Sequence, residues 1–146
     1  MVNAVFWAGS IKGEGIVRSC TGNGKIPFVH SDDIADVAAE ALTTGEYIGD
    51  SLPITGPEAL SYAEMAAKIG AAIGKPVGFQ PISEEQASAR MAESGDPAEV
   101  IAAHLSIYRA IRNGILAAVT DTVERVLARK PVSFDRWVEQ NAAAFR

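Results

Sequence analysis

Helix starts are written into this chain by the side chains that cap them. Ser61-Tyr62-Ala63-Glu64 is a capping box, in which the serine hydroxyl accepts the third helical N–H and the glutamate reaches back to the serine N–H. The run it opens carries Met65, Ala66, Ile69 and Ile73 at helical spacing, and Gly74 ahead of Lys75-Pro76 stops it. Ser83-Glu84-Glu85-Gln86 repeats the device, with Gly95 as its stop. Asp96-Pro97-Ala98-Glu99 predicts a third start, with Asp96 as the cap and Pro97 in the first turn. Val100, Ile101, His104, Leu105, Tyr108 and Ile111 then keep helical spacing until Gly114 loosens the end. Ser31-Asp32-Asp33 reads as the cap of a helix over Ile34 to Leu42, and two more helices are expected over 121–127 and 134–145.

Between the helices lie short apolar stretches at 26–30, 51–55 and 77–82, each set between turn residues and a helix start. Residues 13–16 are a candidate for one further strand. This alternation predicts an α/β protein, helix-rich, with a thin sheet of three or four short strands. Pro27, Pro53 and Pro81 place those strands at edges or ends, because proline donates no ladder bond. Such a sheet needs a cover. Gly22-Asn23-Gly24 is a turn rather than a boundary, and no repeat or linker divides the chain, so residues 1–146 are expected to form one domain.

Charge and cysteine content narrow the partners. The net charge of −5 and the lack of any Lys/Arg cluster argue against a nucleic-acid surface. A single cysteine, Cys20, excludes an intrachain disulfide and has no neighbouring histidine or lysine to activate it. The opening residues lack the basic leader of a signal peptide, and no run is long enough to span a bilayer. A soluble, cytoplasmic protein is expected, without contact to membrane or nucleic acid.

Motifs for chemistry are sparse. A dinucleotide fingerprint needs G-x-G-x-x-G between a strand and a helix. Gly13-Glu14-Gly15 has Arg18 where the third glycine belongs, and Gly22-Asn23-Gly24 runs into Pro27; both read as turns. The tyrosine–lysine pair of short-chain reductases, four residues apart, is also missing: Tyr62 has Ala66 at that spacing and Tyr108 has Arg112. For Tyr108 and Arg112, core packing and a solvated guanidinium are the default. His104, one turn from Tyr108, is either a hydrogen-bonded core histidine or part of a cavity wall offering polar contacts to a ligand. Phe6 and Trp7 either flank a ligand or anchor the core. His30 with Asp32 and Asp33 makes a weak metal set, so helix capping is the better role for the two acids and no metal is expected.

From Lys25 onward a family resemblance is carried by specific residues. Ile26-Pro27-Phe28-Val29-His30-Ser31-Asp32-Asp33-Ile34-Ala35 resembles the V-x-F-V-D-x-x-D-I-A stretch of the NmrA-like, atypical short-chain dehydrogenase/reductase proteins. Leu52-Pro53-Ile54-Thr55-Gly56-Pro57-Glu58-Ala59-Leu60-Ser61-Tyr62 is similar to that family's L-T-G-P-E-A-L-S-Y segment. Gly74-Lys75-Pro76-Val77, Pro81-Ile82-Ser83, Val119-Thr120-Asp121 and the closing helix from Phe134 follow in the family's order, so the resemblance covers roughly residues 5 to 146.

The resemblance implies a Rossmann-derived fold, of which this chain holds the last strands and the C-terminal substrate lobe, while the cofactor-binding half would lie before Met1. It implies NAD(P) only at the level of the family. This chain alone is expected to bind none, and no cofactor residue is carried over. By the same analogy Phe28 lies near the substrate lobe. Phe6, Trp7, Phe28, His30, His104 and Tyr108 are then the candidate substrate contacts, with the catalytic residues open. Two functions compete. One is a truncated quinone or carbonyl reductase needing a partner chain to supply the nucleotide; the other is a non-catalytic, dimeric small-molecule-binding or interaction protein, and a stand-alone isomerase or hydrolase using His104 and an acid ranks below both.

Overall fold

Side chains that cap helix starts do most to set the observed architecture. The computed structural model describes residues 1–146. In chain order its elements are a 3-10 turn (Val2–Trp7), α1 (Ala8–Glu14), β1 (Ile16–Ser19), β2 (Lys25–Ile26), α2 (Ser31–Thr44), β3 (Leu60–Ser61), α3 (Tyr62–Ile73), β4 (Gly78–Pro81), α4 (Glu84–Glu93), α5 (Ala98–Arg112), α6 (Thr122–Leu127), α7 (Phe134–Asn141) and a closing 3-10 turn (Ala142–Phe145). Both capping boxes close. Glu64 N–H donates to Ser61 Oγ at 3.2 Å and Ser61 N–H to Glu64 Oε2 at 2.7 Å; Ser83 and Gln86 repeat the exchange at the head of α4.

Two predicted caps are corrected. At α2 the acceptor is His30, whose Nδ1 takes the Asp32 N–H at 3.1 Å, so the helix begins at Ser31 and not at Ile34. An imidazole lone pair meets the same need as a carboxylate, which frees Asp33 to turn inward. Asp33 is fully buried and accepts from Arg129 Nη1 at 2.6 Å and from the Val132 N–H at 2.9 Å. Arg129 Nη2 also donates to Asp36. At α5, Pro97 is the N-cap residue and Asp96 makes no capping bond, since an extended Pro97 holds Asp96 one residue too far out.

The four strands form two separate pairs rather than one thin sheet. β1 pairs with β4 in parallel, Ile16 opposite Gly78 and Ser19 opposite Pro81, while β2 and β3 form a separate antiparallel pair of two residues each. Of residues 13–16 only Ile16 is in a strand, the first residue of β1, because α1 runs to Glu14 and Gly15 turns out of it at φ 68°. Of residues 26–30 only Ile26 pairs, and residues 51–55 join no sheet. Prolines 27 and 53 remove ladder donors there, and side chains take over: the Thr120 N–H donates to Thr55 Oγ1 at 2.9 Å, and Thr120 Oγ1 to the Pro53 carbonyl at 2.7 Å.

The main core gathers around α3. Met65, Ala66 and Ile69 are fully buried there against Phe134, Trp137 and Val138 of α7, Phe145 beyond it and Val17 of β1. A smaller cluster of Val37, Val123 and Val126 joins α2 to α6. Deleting side chains such as Phe134 would cost several kcal/mol, about 3 to 5 for Phe to Ala.

The head of α3 is sensitive to acid. Lys25 Nζ donates to Glu64 Oε1 at 2.8 Å, and this contact, followed by the Ser61 N–H, holds the Glu64 carboxyl down at about 2 against an ordinary 4.5. A carboxyl depressed in the folded state stabilises it above the unfolded pKa, and that contribution is lost as pH falls through the folded value. Circular dichroism during acid titration should therefore show a loss between pH 4.5 and about 2. Glu64→Gln should flatten that limb; an unchanged limb would remove Glu64 from the account.

Candidate functional site

A row of aromatic rings crosses the protein from its core to its surface. Trp7 ends the N-terminal 3-10 turn, Phe28 follows β2, and Tyr62 is the first residue of α3. Their centroids converge at 4.8 Å (Trp7–Tyr62), 6.1 Å (Phe28–Tyr62) and 6.4 Å (Trp7–Phe28). Phe134 backs Phe28 from the core at 6.5 Å. On the other side Tyr108 of α5 meets Tyr62 nearly edge-on, at 6.4 Å and 85°, and His104 stacks on Tyr108 at 6.3 Å and 14°. Tyr62 is buried, Trp7, Phe28 and Tyr108 are half-buried, and His104 is exposed.

Three contacts seat α5 beside this row. Gly24 lies so close to the backbone of Ile111 and Arg112 that a Cβ there would overlap the Ile111 carbonyl. Ile111 is fully buried. Arg112 Nη1 donates to the Cys20 carbonyl at 3.3 Å, and Glu84 at the head of α4 takes both Arg109 Nε at 2.8 Å and Arg112 Nη2 at 2.6 Å. Arg112 is thus engaged with Glu84 and the end of β1. It is neither free in solvent nor poised to lower the pKa of Tyr108.

The electrostatics favour neutral donors. Burial, then the neighbouring Tyr108 and Cys20, pushes the Tyr62 phenol well above its ordinary value. Tyr108 is raised by burial and then by Cys20 and Asp96, and the Cys20 thiol by burial and then by Glu84. All three keep their protons near neutral pH. No side-chain hydrogen bond within the protein uses either phenol, and Thr21, next to Cys20, carries the one sealed side-chain oxygen without a partner.

The structure brings together three of the six candidate residues predicted from sequence, Trp7, Phe28 and Tyr108, with His104 at the rim. Phe6 points out, 87 % exposed and apart from the rings. His30 is buried as the cap of α2 and faces a helix end rather than the row. His104 is exposed, so the expected core histidine is corrected: α5 turns that edge toward solvent. The sequence does not mark Tyr62 as a site residue, since Ala66 stands where a lysine partner would be. The usable signal was its place at the first position of a capped helix, where the chain arrives from a strand. Two open clefts of about 450 and 470 Å³ lie elsewhere and include no ring of the row; one is lined by Gly70, Gly74 and Pro76, the other by Pro57, Thr120, Asp121 and Lys130. No group of three or more His, Cys, Asp or Glu is placed to hold a metal, and no helix is long and apolar enough to cross a membrane.

A dinucleotide pyrophosphate sits on free N–H groups at a helix N-terminus behind a glycine turn. The helices α2, α3 and α4 each spend one leading N–H on their own cap, His30, Ser61 and Ser83 respectively, and none of them follows a glycine turn. Gly15 closes a helix instead of opening one, and Gly24 is packed on α5. Neither glycine pair forms the loop of that fingerprint.

No family model matches the chain. It is similar to the NAD(P)H azoreductase of Xenophilus azovorans, 37% identical over 145 residues, covering 99% of this chain and 51% of the azoreductase. The uncharacterized oxidoreductase YesF of Bacillus subtilis is 39% identical over 140 residues, with 92% of this chain and 47% of YesF covered. Among solved structures, an NADPH-dependent quinone oxidoreductase from Escherichia coli superposes with a TM-score of 0.87 at 21% identity, over 95% of this chain and 50% of the other. The chain corresponds to the C-terminal half of an NmrA-like, atypical short-chain dehydrogenase/reductase protein. It spans about half the length of the curated relatives it matches. A Citrobacter triphenylmethane reductase complexed with NADP(H) shares the fold at a TM-score of 0.81 and 20% identity. The helix-rich α/β architecture of this NmrA-like lobe is that of the C-terminal region of these proteins.

Proposed function

We propose that this chain is the substrate-binding lobe of an NAD(P)H-dependent oxidoreductase, and that the aromatic row holds a flat, apolar carbonyl or quinone substrate. The observation that carries this is the half-buried face of Trp7, Phe28 and Tyr108 around a buried Tyr62. Aromatic faces of this kind grip planar ligands by offset stacking and edge contacts. The curated relatives are reductases and oxidoreductases, which supports the same reading. The nucleotide, when bound, supplies the hydride; since neither Gly15 nor Gly24 forms a phosphate-binding turn, its place is a nucleotide-binding half outside these residues. The lobe's own part is to bind and orient the substrate and to exclude water from it.

Mixing or co-expressing the chain with the nucleotide-binding half of the Xenophilus azoreductase tests this. NADPH oxidation with an added quinone should require both pieces. Tight NADPH binding by this chain alone, or no oxidation by the assembled pair, would overturn the proposal.

A second reading, a dimeric ligand-binding protein, is favoured by Phe6, Leu42 and Ile48, which are 87 %, 85 % and 85 % exposed. Apolar surface of that kind calls for a cover. Sedimentation at micromolar concentration separates the readings: a well-behaved monomer would remove the second.

A further inference from the structure

The helices α4 and α5 are bound to each other more firmly than to the rest of the protein. Glu84 at the head of α4 holds Arg109 and Arg112 of α5 at 2.8 and 2.6 Å, so both ion pairs stay inside the α4–α5 hairpin. Ala87 of α4 and Ile101 of α5 are buried, yet neither joins the main core or the valine cluster. The α4 helix packs mainly on α5, and α5 meets the body mainly at β2.

What fastens the hairpin to the body is confined to the C-terminal end of α5. Ile111 enters the main core, Tyr108 lies edge-on to Tyr62, and Arg112 Nη1 donates to the Cys20 carbonyl at 3.3 Å. Away from the hairpin's two ends, that is the one hydrogen bond between hairpin and body. The turn from Cys20 to Gly24 lies against Ile111 and Arg112, and within it Thr21 keeps a sealed Oγ1 without a partner. Closure thus holds a hydroxyl dry, a cost that water would relieve. A segment with few buried apolar contacts to its surroundings opens at lower free energy than the core.

The two ends of the hairpin suit a hinge. The chain enters through Ile82, whose N–H donates to the Ser19 carbonyl at 3.1 Å, and leaves through Gly114, at φ 74° with open space around its missing Cβ. Each lies at a helix terminus, where a few dihedrals absorb a rotation.

We infer that residues 83–113 are a flap, which opens as one body about Ile82–Ser83 and Asn113–Gly114 and uncovers Tyr62 and the turn at Cys20–Gly24. Opening parts Tyr108 from Tyr62 and breaks the Arg112 bond to Cys20, while the Glu84 ion pairs travel intact with the flap. The core around α3 and α7 keeps its place. The flap stands whether or not the aromatic row holds a substrate, because it depends only on how the helices are fastened.

The test is hydrogen–deuterium exchange of the full chain, followed amide by amide by NMR where reclosing outruns exchange. Amides along α4 and α5 should share one opening constant, at least about tenfold larger than that of α3 and α7. Val138→Ala, in the core of α7, should speed exchange in α3 and α7 by roughly tenfold and leave the flap unchanged, because the flap opens with α7 still folded. Tyr108→Ala should enlarge the opening constant of both flap helices by roughly tenfold, although the residue lies on α5 alone. Protection of residues 83–113 equal to that of α3 would mean that they open only when the whole chain unfolds. The same conclusion would follow if Val138→Ala sped the flap as much as α7. Separate constants for α4 and α5 would reduce the flap to fraying of single helices. Any of these results overturns the inference, and the parent protein's pattern decides it even if a variant fails to fold.

Discussion

Replacing Gly24 by alanine is expected to lift α5 off the turn beside Cys20 and to destabilise the protein by about 3 kcal/mol, the upper end of the usual cost of overpacking. The reason lies in what an added methyl would meet. It would fall on the Ile111 carbonyl and near the Arg112 Cα, and backbone cannot step aside as the end of a flexible side chain can. Relief requires moving α5, which carries Tyr108 against Tyr62 and holds Ile111 in the core. Both stability and quinone binding should therefore fall together. Denaturant unfolding, with near-ultraviolet circular dichroism for the aromatic row, checks it. Gly13→Ala is the control: that glycine lies inside α1 with nothing near its missing Cβ, so alanine should raise stability by up to about 1 kcal/mol. A Gly24→Ala variant as stable as its parent would mean that α5 is not seated by this contact.

The second large effect is expected at Asp33. Its carboxylate is fully buried and holds the Arg129 guanidinium and the Val132 N–H at once, tying α2 to the segment beyond α6. Asp33→Ala should cost about 3 kcal/mol, as for other buried pairs broken from one side. It leaves the Val132 N–H without its acceptor and the valine cluster of α2 and α6 without its tie. Asp36 makes the same kind of contact to Arg129 from the surface, so Asp36→Ala should cost no more than about 1 kcal/mol. A double-mutant cycle between Asp33 and Arg129 gives the coupling. Equal effects at Asp33 and Asp36 would show that burial does not matter here.

Asp33 also marks where sequence reasoning stopped. Local signals were legible wherever one side chain decides a local geometry: Ser61 with Glu64 and Ser83 with Gln86 close as written, and the αL glycines 74 and 95 end the helices they were expected to end. Where two acids follow a histidine, the preference for Asp as a cap points to the wrong residue. The use of Asp33 depends on Arg129, 96 residues away. The strands failed for a related reason. Apolar runs containing proline look extended, and they are, but pairing is a property of two segments, and residues 51–55 find their partners in Thr120 side-chain and backbone groups. The family resemblance located Phe28, the opening stretch offered Trp7, and helical spacing set Tyr108 one turn from His104. Tyr62 became visible only once α3 and α5 were placed side by side, because its role lies in what surrounds it.

The lone thiol beneath α5 has a practical consequence. Cys20 is the chain's one cysteine, 3 % exposed, and its own carbonyl takes the Arg112 bond that helps hold the helix down. A thiol reagent can reach it only when the helix swings away or the whole chain unfolds. Its labelling rate, compared with that of an unfolded peptide, is then a clock for breathing at that seam. It reads out how often the lobe opens, without any probe having to be engineered in.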